Sequence, residues 1–380
     1  MRVVVIGGGI AGSACAIGLR RIGAEVTVYE AHPDPSGPVG SFLSLAVNGL
    51  RGLDALGCLD PVRRAGFAVE RQRMWSGGGR LLADVPRGRA EGDPMRSVTL
   101  MRGDLVAALR AEALRSGARI ETGTRLDQDP PDADLVVGAD GIRSAMRRRL
   151  DPGSPEPAYA GIHSISGVSA GAGQEGGVFN MVLGGSGAFI HLAAPDGSVW
   201  WSAQVAAAEA PDPRGLGLDD AIACFAAEPG PSAVLGAART VHGATLHHVL
   251  APIARRHDGR AVLIGDAAHP VGAGQGASMA IEDAVILARE LHRRASVAEA
   301  LDSFDGLRQR RLAKVVRNAA QNRQAKTAGP VQAALRNLMM PVFFPLVYPR
   351  ATAWLYRFDV GRLPAPDGSA SDSTTVQLST

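Results

Sequence analysis

The first thirty residues restrict the fold of this chain more than any other stretch. Arg2–Ile6 is apolar after its first residue, as a strand buried on both faces requires. Gly7-x-Gly9-x-x-Gly12 follows, inside a segment whose apolar spacing predicts a helix over Ile10–Arg21, and Ala24–Glu30 then reads as a second strand. That is a βαβ unit. Its glycines permit a tight turn and a close approach of backbone to a diphosphate, whose charge faces the helix N-terminus. Glu30 closes the second strand eighteen residues after Gly12, where a carboxylate can accept bonds from ribose hydroxyls. The same carboxylate repels a 2′-phosphate, so the site suits FAD or NAD better than NADP. With 47 glycines in 380 residues the motif alone is a weak signal. A second copy, Gly171-x-Gly173-x-x-Gly176, has no helical pattern after it and is read as coincidence.

Composition excludes several other classes. Lys+Arg 40 against Asp+Glu 37 gives a net charge of only +3, which argues against a dedicated nucleic-acid binder. Lysine occurs only at Lys314 and Lys326, so no mechanism can rely on a lysine in the middle of the fold. Cys15, Cys58 and Cys224 are far apart and odd in number, which predicts neither a disulfide framework nor a zinc site. His242, His247 and His248 fit no metal spacing, so no metal is expected. The apolar N-terminal stretch resembles a signal peptide, but five glycines interrupt it and the βαβ reading accounts for every residue. The apolar run Leu338–Tyr348 is broken by Pro341 and Pro345 and is shorter than the ~20 residues of a spanning helix. A cytoplasmic protein with no membrane span is expected.

Farther along, helices are expected over Ser41–Leu56 and Asp104–Ser116, and strands over Arg119–Thr122 and Asp134–Gly138. Val69–Trp75 and Arg80–Val85 read as a hairpin across Ser76-Gly77-Gly78-Gly79. From Tyr159 to Val205 the pattern becomes alternating strands, Phe179–Leu183, Ala188–Ala193 and Ser198–Val205 being the clearest. Strand Ala261–Ile264 returns the chain to the first unit, and helices follow over Ala277–Arg294 and Val297–Lys326. The expected fold is α/β: a discontinuous Rossmann-type domain (1–68, 98–156, 258–327) with an inserted antiparallel sheet domain (69–97, 157–257). A C-terminal helical segment (328–362) and a disordered tail (363–380) complete it.

Two further motifs end strands of the first unit. One is Gly138-Ala139-Asp140-Gly141-Ile142-Arg143-Ser144; the other is Gly265-Asp266-Ala267-Ala268-His269-Pro270, continuing through Gly276-Ala277-Ser278 into a helix bearing Glu282-Asp283. An Asp at a strand end can bind a sugar-chain hydroxyl, and a glycine-rich loop admits a planar ring to the backbone. In this order and spacing, with Arg102-x-x-Leu105, the motifs resemble those of the class A flavoprotein monooxygenases, the para-hydroxybenzoate hydroxylase-like family, over about residues 1–325. The resemblance implies that Gly7, Gly9, Ala11 and Gly12 bind the FAD diphosphate and Glu30 the ribose. It gives Arg102 and Asp266 the ribityl-diphosphate region, Asp140 the diphosphate end, Leu126 a backbone contact to adenine, and Gly276, Ala277 and Ser278 the pyrimidine edge.

The implied reaction uses NAD(P)H as a transient reductant and O2 as co-substrate, and a flavin C4a-hydroperoxide hydroxylates or epoxidises a small organic molecule, aromatic or natural-product-like. A flavin-dependent C=C reductase or oxidase shares the same motifs, and a non-catalytic flavin binder is a rival of another class. A halogenase would need a lysine relay and Trp-x-Trp, whereas Trp200 and Trp201 are adjacent. The sequence departs from the family pattern in a loop 266–275 about two residues short and lacking its second proline, and in lacking an Arg within His32–Gly40. Nicotinamide contacts, catalytic side chains and oligomeric state are therefore unassigned. The basic cluster Arg143, Arg147, Arg148 and Arg149 could attract the phosphates of NAD(P)H, but reads first as a solvated helix face. Arg73, Asn180, His191 and Trp201, in the predicted hairpin and sheet, are the substrate-site candidates; Trp200 and Trp201 must point to opposite faces.

Overall fold

A computed structural model describes residues 1–34, 41–126, 132–171, 173–271, 274–326 and 330–364, the side chains of 319–326, 330–331 and 333 excepted. The disorder expected for the tail and most of the turn at 35–40 thus fall outside the described residues. The chain opens with β1 (Arg2–Ile6), α1 (Ile10–Arg21) and β2 (Glu25–Glu30), then β3 (Phe42–Leu45), α2 (Val47–Ala55), α3 (Leu59–Arg64) and β4 (Phe67–Val69). It continues through β5 (Arg71–Ser76), β6 (Leu81–Pro86), β7 (Ser97–Met101), α4 (Arg102–Arg115), β8 (Arg119–Thr122), β9 (Leu135–Gly138) and α5 (Ala145–Leu150). Next come β10 (Ala158–Ala170), β11 (Val178–Leu183), β12 (Gly187–Ala193), β13 (Ser198–Ala206), α6 (Leu218–Phe225), α7 (Pro229–Gly236) and β14 (Ala238–Val249). β15 (Ala261–Leu263), α8 (Gly276–Arg293), α9 (Val297–Lys326) and α10 (Pro330–Tyr356) close it.

β15, β9, β1, β2 and β8, in that order, form a parallel sheet. Its inner strands β1 and β9 and the short β15 are almost wholly apolar because both faces are covered: α1, α4 and α8 pack on one side, and Met146, Leu150 and Ile253 on the other. Gly12 is required at the first turn of α1, since a Cβ there would collide with the Gly7 carbonyl and force helix and strand apart. Gly7 itself holds φ +105°, a left-handed conformation that other residues rarely adopt.

The second sheet runs β14-β10-β13-β12-β11-β5-β6. Its pairs are antiparallel except β11 with β5, which is parallel and admits the early hairpin to the sheet edge. One face is covered by α6 and α7 through Ala221, Phe225, Val234 and Leu235, which meet Phe189 and Trp201. The other face, with Phe179, Met181, Ile190 and half-buried Trp200, packs toward Phe42, Phe67 and Met340.

A three-stranded sheet, β3-β7-β4, corrects the helix expected over Ser41–Leu56. Only Val47–Ala55 is helical. Phe42–Leu45 pairs antiparallel with β7, and Ser44 Oγ lies 2.6 Å from Thr99 Oγ1. An apolar run this short suits either state, and the partner strand some fifty-five residues away decides it. The C-terminal run read as proline-broken is instead continuous helix through Pro341, Pro345 and Pro349. Among the described residues no helix is long and apolar enough to cross a membrane.

Candidate functional site

The register of the parallel sheet brings the sequence motifs to one edge. Ile6 pairs with Tyr29 and with Gly138, and Gly138 with Leu263, so Gly7, Glu30, Asp140 and Asp266 all follow the carboxyl ends of neighbouring strands. That edge is where open α/β sheets bind ligands.

At its centre α1 starts without a side-chain cap and without an acidic residue in its first turn, leaving amide N–H groups directed outward. Gly9, the N-cap, has open space where a Cβ would stand. Glu30 is fixed beside this turn: the Gly8 and His32 N–H groups donate to Oε2 and Oε1, each at 2.7 Å. Ala11 is half-buried, and its methyl is close to Gly265. Leu126 is half-buried against the Met146–Leu150 cluster and is the last described residue before 127–131.

Asp140 accepts from the Met146 N–H through Oδ2 (3.0 Å), while Oδ1 is buried with no partner among the described residues. Arg147 is buried rather than solvated, correcting that part of the basic-cluster reading. Its Nη1 donates to the Ala267 carbonyl (3.1 Å) and Nη2 to that of Ile142 (2.8 Å), tying two motifs together. A cationic residue in a one-and-a-half-turn helix gives no sequence signal of such burial.

Burial pushes the Asp266 carboxyl above its usual range, while His269 and Arg102 pull it back. Arg102 is an exposed side chain at the start of α4, within electrostatic reach of Asp266. Gly276, at the N-terminus of α8, is Asp266's neighbour: a Cβ there would lie 3.6 Å from Oδ1. Gly276 and Ala277 are half-buried, and Ser278 is buried with its hydroxyl packed against Gly49 of α2, so only its backbone faces the edge. Residues 272–273 of the shortened loop lie outside the described residues.

Beneath this loop runs a buried polar network that the sequence reading did not find. Asp283 Oδ2 accepts from the Gly265 N–H (2.8 Å) and contacts His269 Nε2 (2.5 Å), and Oδ1 accepts from Arg308 Nε (2.6 Å). Glu282 takes Arg308 Nη1 (2.8 Å), Arg311 Nε and Nη2 (both 2.6 Å) and Asn48 Nδ2 (2.8 Å). Two carboxylates thus face two guanidiniums, all buried. Burial opposes ionisation of Asp283, yet His269 and Arg308 hold its carboxyl below the usual range. Adjacent acids in the apolar helix Ala277–Ala288 were the available signal, since such a pair needs cationic partners.

The four substrate-site candidates lie on the face of the large sheet covered by α6 and α7. Trp201 is fully buried and stacks on Phe189 with ring centroids 5.9 Å apart. Arg73 pairs with Asp84 (3.2 Å) and Glu175 (2.5 Å). Asn180 accepts from Trp75 Nε1 (2.9 Å), and His191 Nδ1 meets Gln174 Oε1 (2.9 Å), burial lowering the imidazole to about 4. Asn180 and His191 line a cavity of ≈ 270 Å³ with Trp75, Gly230 and Pro231 on that side. Trp200, by contrast, meets Phe67 edge-on at 5.2 Å and Phe42 at 6.0 Å, on the face toward the small sheet. Alternation showed that the two tryptophans oppose each other; it could not show which side the helices would cover.

An uncapped helix N-terminus, a carboxylate ending β2, an unpartnered Asp140 oxygen and a carboxylate after β15 are the donors and acceptors that an adenine dinucleotide diphosphate requires. Comparison with known proteins agrees: residues 1–319 match the family model described as an FAD binding domain. The chain belongs to the class A flavoprotein monooxygenases. It is 32% identical to the aurachin C monooxygenase/isomerase of Stigmatella aurantiaca, over 81% of this chain and 85% of that one. It is also 32% identical to 2-heptyl-3-hydroxy-4(1H)-quinolone synthase of Pseudomonas aeruginosa, over 82% and 86%. The solved structure of Klebsiella pneumoniae R204Q HpxO complexed with FAD superposes with a TM-score of 0.83, covering 95% of this chain and 100% of the other at 22% identity, a likeness of fold. This monooxygenase is an FAD-dependent oxidoreductase that takes its reducing equivalents from NAD(P)H.

Proposed function

We propose that this monooxygenase hydroxylates an aromatic or heteroaromatic ring bearing an ionisable oxygen, held between the flavin and the inner face of the large sheet. One observation carries the substrate class. The Arg87 guanidinium lies 3.7 Å over the Phe179 ring on that face, donates to Gln72 Oε1 (2.5 Å), and pairs with no described carboxylate. Burial lowers its pKa, while the neighbouring phenols of Tyr348 and Tyr356 of α10 push it back up. A half-buried guanidinium stacked on an aromatic face, with no carboxylate partner among the described residues, leaves its charge available to an anionic substituent. One relative is named for making a 3-hydroxy-4(1H)-quinolone, an oxygen-bearing heteroaromatic ring.

In this reading the first turn of α1, with Gly7, Gly9, Ala11 and Gly12, holds the FAD diphosphate, and Glu30 takes the adenosine ribose. Asp140 orders the diphosphate end, Arg102 and Asp266 hold the ribityl-diphosphate region, and Leu126 touches adenine. Gly276, Ala277 and Ser278 offer backbone to the pyrimidine edge. Bound FAD supplies the chemistry, passing electrons from NAD(P)H to O2. The N-terminus of α8 favours negative charge beside it by ~0.3–2 kcal/mol. The buried Glu282–Asp283–Arg308–Arg311 network fixes that helix. Trp200, Phe42 and Phe67 exclude water from the inner face. A cytoplasmic location completes the reading, supported by three cysteines that are all unpaired. Arg87→Met tests the substrate class: KM should rise at least tenfold for an ionised substrate and little for its neutral O-methyl analogue. An equal change for both would remove Arg87 from substrate recognition.

A further inference from the structure

The outward side of α10 carries an apolar stripe. From Leu335 to Val347 the positions i, i+3, i+4, i+7, i+8, i+11 and i+12 are all large and apolar, with Leu338, Met339, Val342, Phe343 and Leu346 between the ends. Each is between 46% and 68% exposed, although this helix is docked on the protein by its other side, through Met340, Thr352, Leu355 and Tyr356. A soluble monomer rarely leaves so many contiguous large apolar side chains in water.

Charge identifies the occupant. Residues 306–358 contain no Asp or Glu but ten Lys and Arg. Arg308 and Arg311 are consumed by the buried carboxylates, and of the other eight, Arg310, Lys314, Arg317, Arg350 and Arg357 are exposed. Lys314 sits 5.5 Å over the Trp354 ring, which places the middle of α9 beside the last turns of α10, past the end of the stripe. A second copy meeting α10 across a two-fold axis would set this cationic segment against itself, with no carboxylate in 306–358 to compensate. An anionic lipid surface meets both requirements: acyl chains for the stripe and headgroup phosphates for the flanking cations.

We infer that α10 lies in the plane of an anionic membrane surface and binds the monooxygenase there peripherally, without spanning it. The full-length, FAD-loaded protein is floated with vesicles of phosphatidylcholine alone or with about a third phosphatidylglycerol, at low and high salt. It should float with the anionic vesicles at low salt and stay behind with the neutral vesicles or at high salt. Leu338→Glu/Phe343→Glu should bind on the order of a hundredfold more weakly, with flavin absorbance and circular dichroism unchanged. If that variant does not fold, the lipid and salt dependence of the parent decides. A parent that does not float with anionic vesicles at low salt, or floats equally with both kinds, overturns the proposal. So does a parent that light scattering shows to be a dimer and that Leu338→Glu splits into monomers, since the stripe would then be an interface between copies.

Discussion

Arg308→Met offers a quantitative test of the network under α8. The guanidinium of Arg308 is buried and bonds Asp283 at 2.6 Å and Glu282 at 2.8 Å. Its loss affects the two carboxylates unequally. Glu282 keeps both bonds from Arg311 and that from Asn48, whereas Asp283 keeps only the Gly265 N–H and His269. Breaking a buried pair from one side costs ~3–5 kcal/mol. The remaining bonds to Asp283 place this case near the lower end, at about 3 kcal/mol. An unfolding entropy of ~2.1 cal/mol/K per residue gives ~0.8 kcal/mol/K for this chain, so the midpoint should fall by about 4 °C. The sign of the pH effect follows from Asp283, whose carboxyl is held below its usual range when folded. Its stabilisation is present above the unfolded value of ~4 and is lost as pH falls through the folded value. Weaker pairing raises that folded value, so acid unfolding of the variant should begin at higher pH. Thermal melts followed by flavin fluorescence, with exposed Arg310→Met as control, measure both effects. A melt within about 1 °C of the parent, with an unshifted acid transition, would refute a structural role for Arg308.

Asp266→Ala should lower FAD occupancy of the purified protein by at least about tenfold, the loss of one charge-assisted bond, while Asp196→Ala should not. Asp196 only closes an exposed turn through Ser198; equal occupancy in the two variants would move the ribityl chain away from Asp266. Trp201→Ala should cost ~3–5 kcal/mol of stability with little change in KM, because its fully buried ring packs under α6 and α7. Trp200→Ala should do the reverse, and a KM effect confined to Trp201 would show that the substrate face has been assigned to the wrong side.

Much of the fold was legible because local rules and tertiary structure agree in the nucleotide-binding unit. α1 and β8 begin and end where periodicity placed them, and three motifs follow strand ends that the parallel register aligns. The unread parts depend on partners distant in sequence. Phe42–Leu45 is strand because β7 offers a ladder. Arg147 is buried because the carbonyl of Ala267, 120 positions away, accepts a hydrogen bond from its Nη1. α10 passes through three prolines because contacts with β6 and α2 hold it in place. The proposed substrate side depends on which sheet face α6 and α7 cover, a choice that period-two alternation leaves open.

The reaction itself is tested most directly with isotopic oxygen. The holoenzyme is supplied with NAD(P)H, ¹⁸O2 and a library of ring substrates bearing phenolic, quinolone or carboxylate groups, and products are weighed by mass spectrometry. One ¹⁸O atom should appear in the turned-over substrate and the other in water. A product that gains hydrogen without label, or oxidation matched by peroxide with no label in the organic product, would contradict monooxygenation and mark a reductase or an oxidase on the same fold.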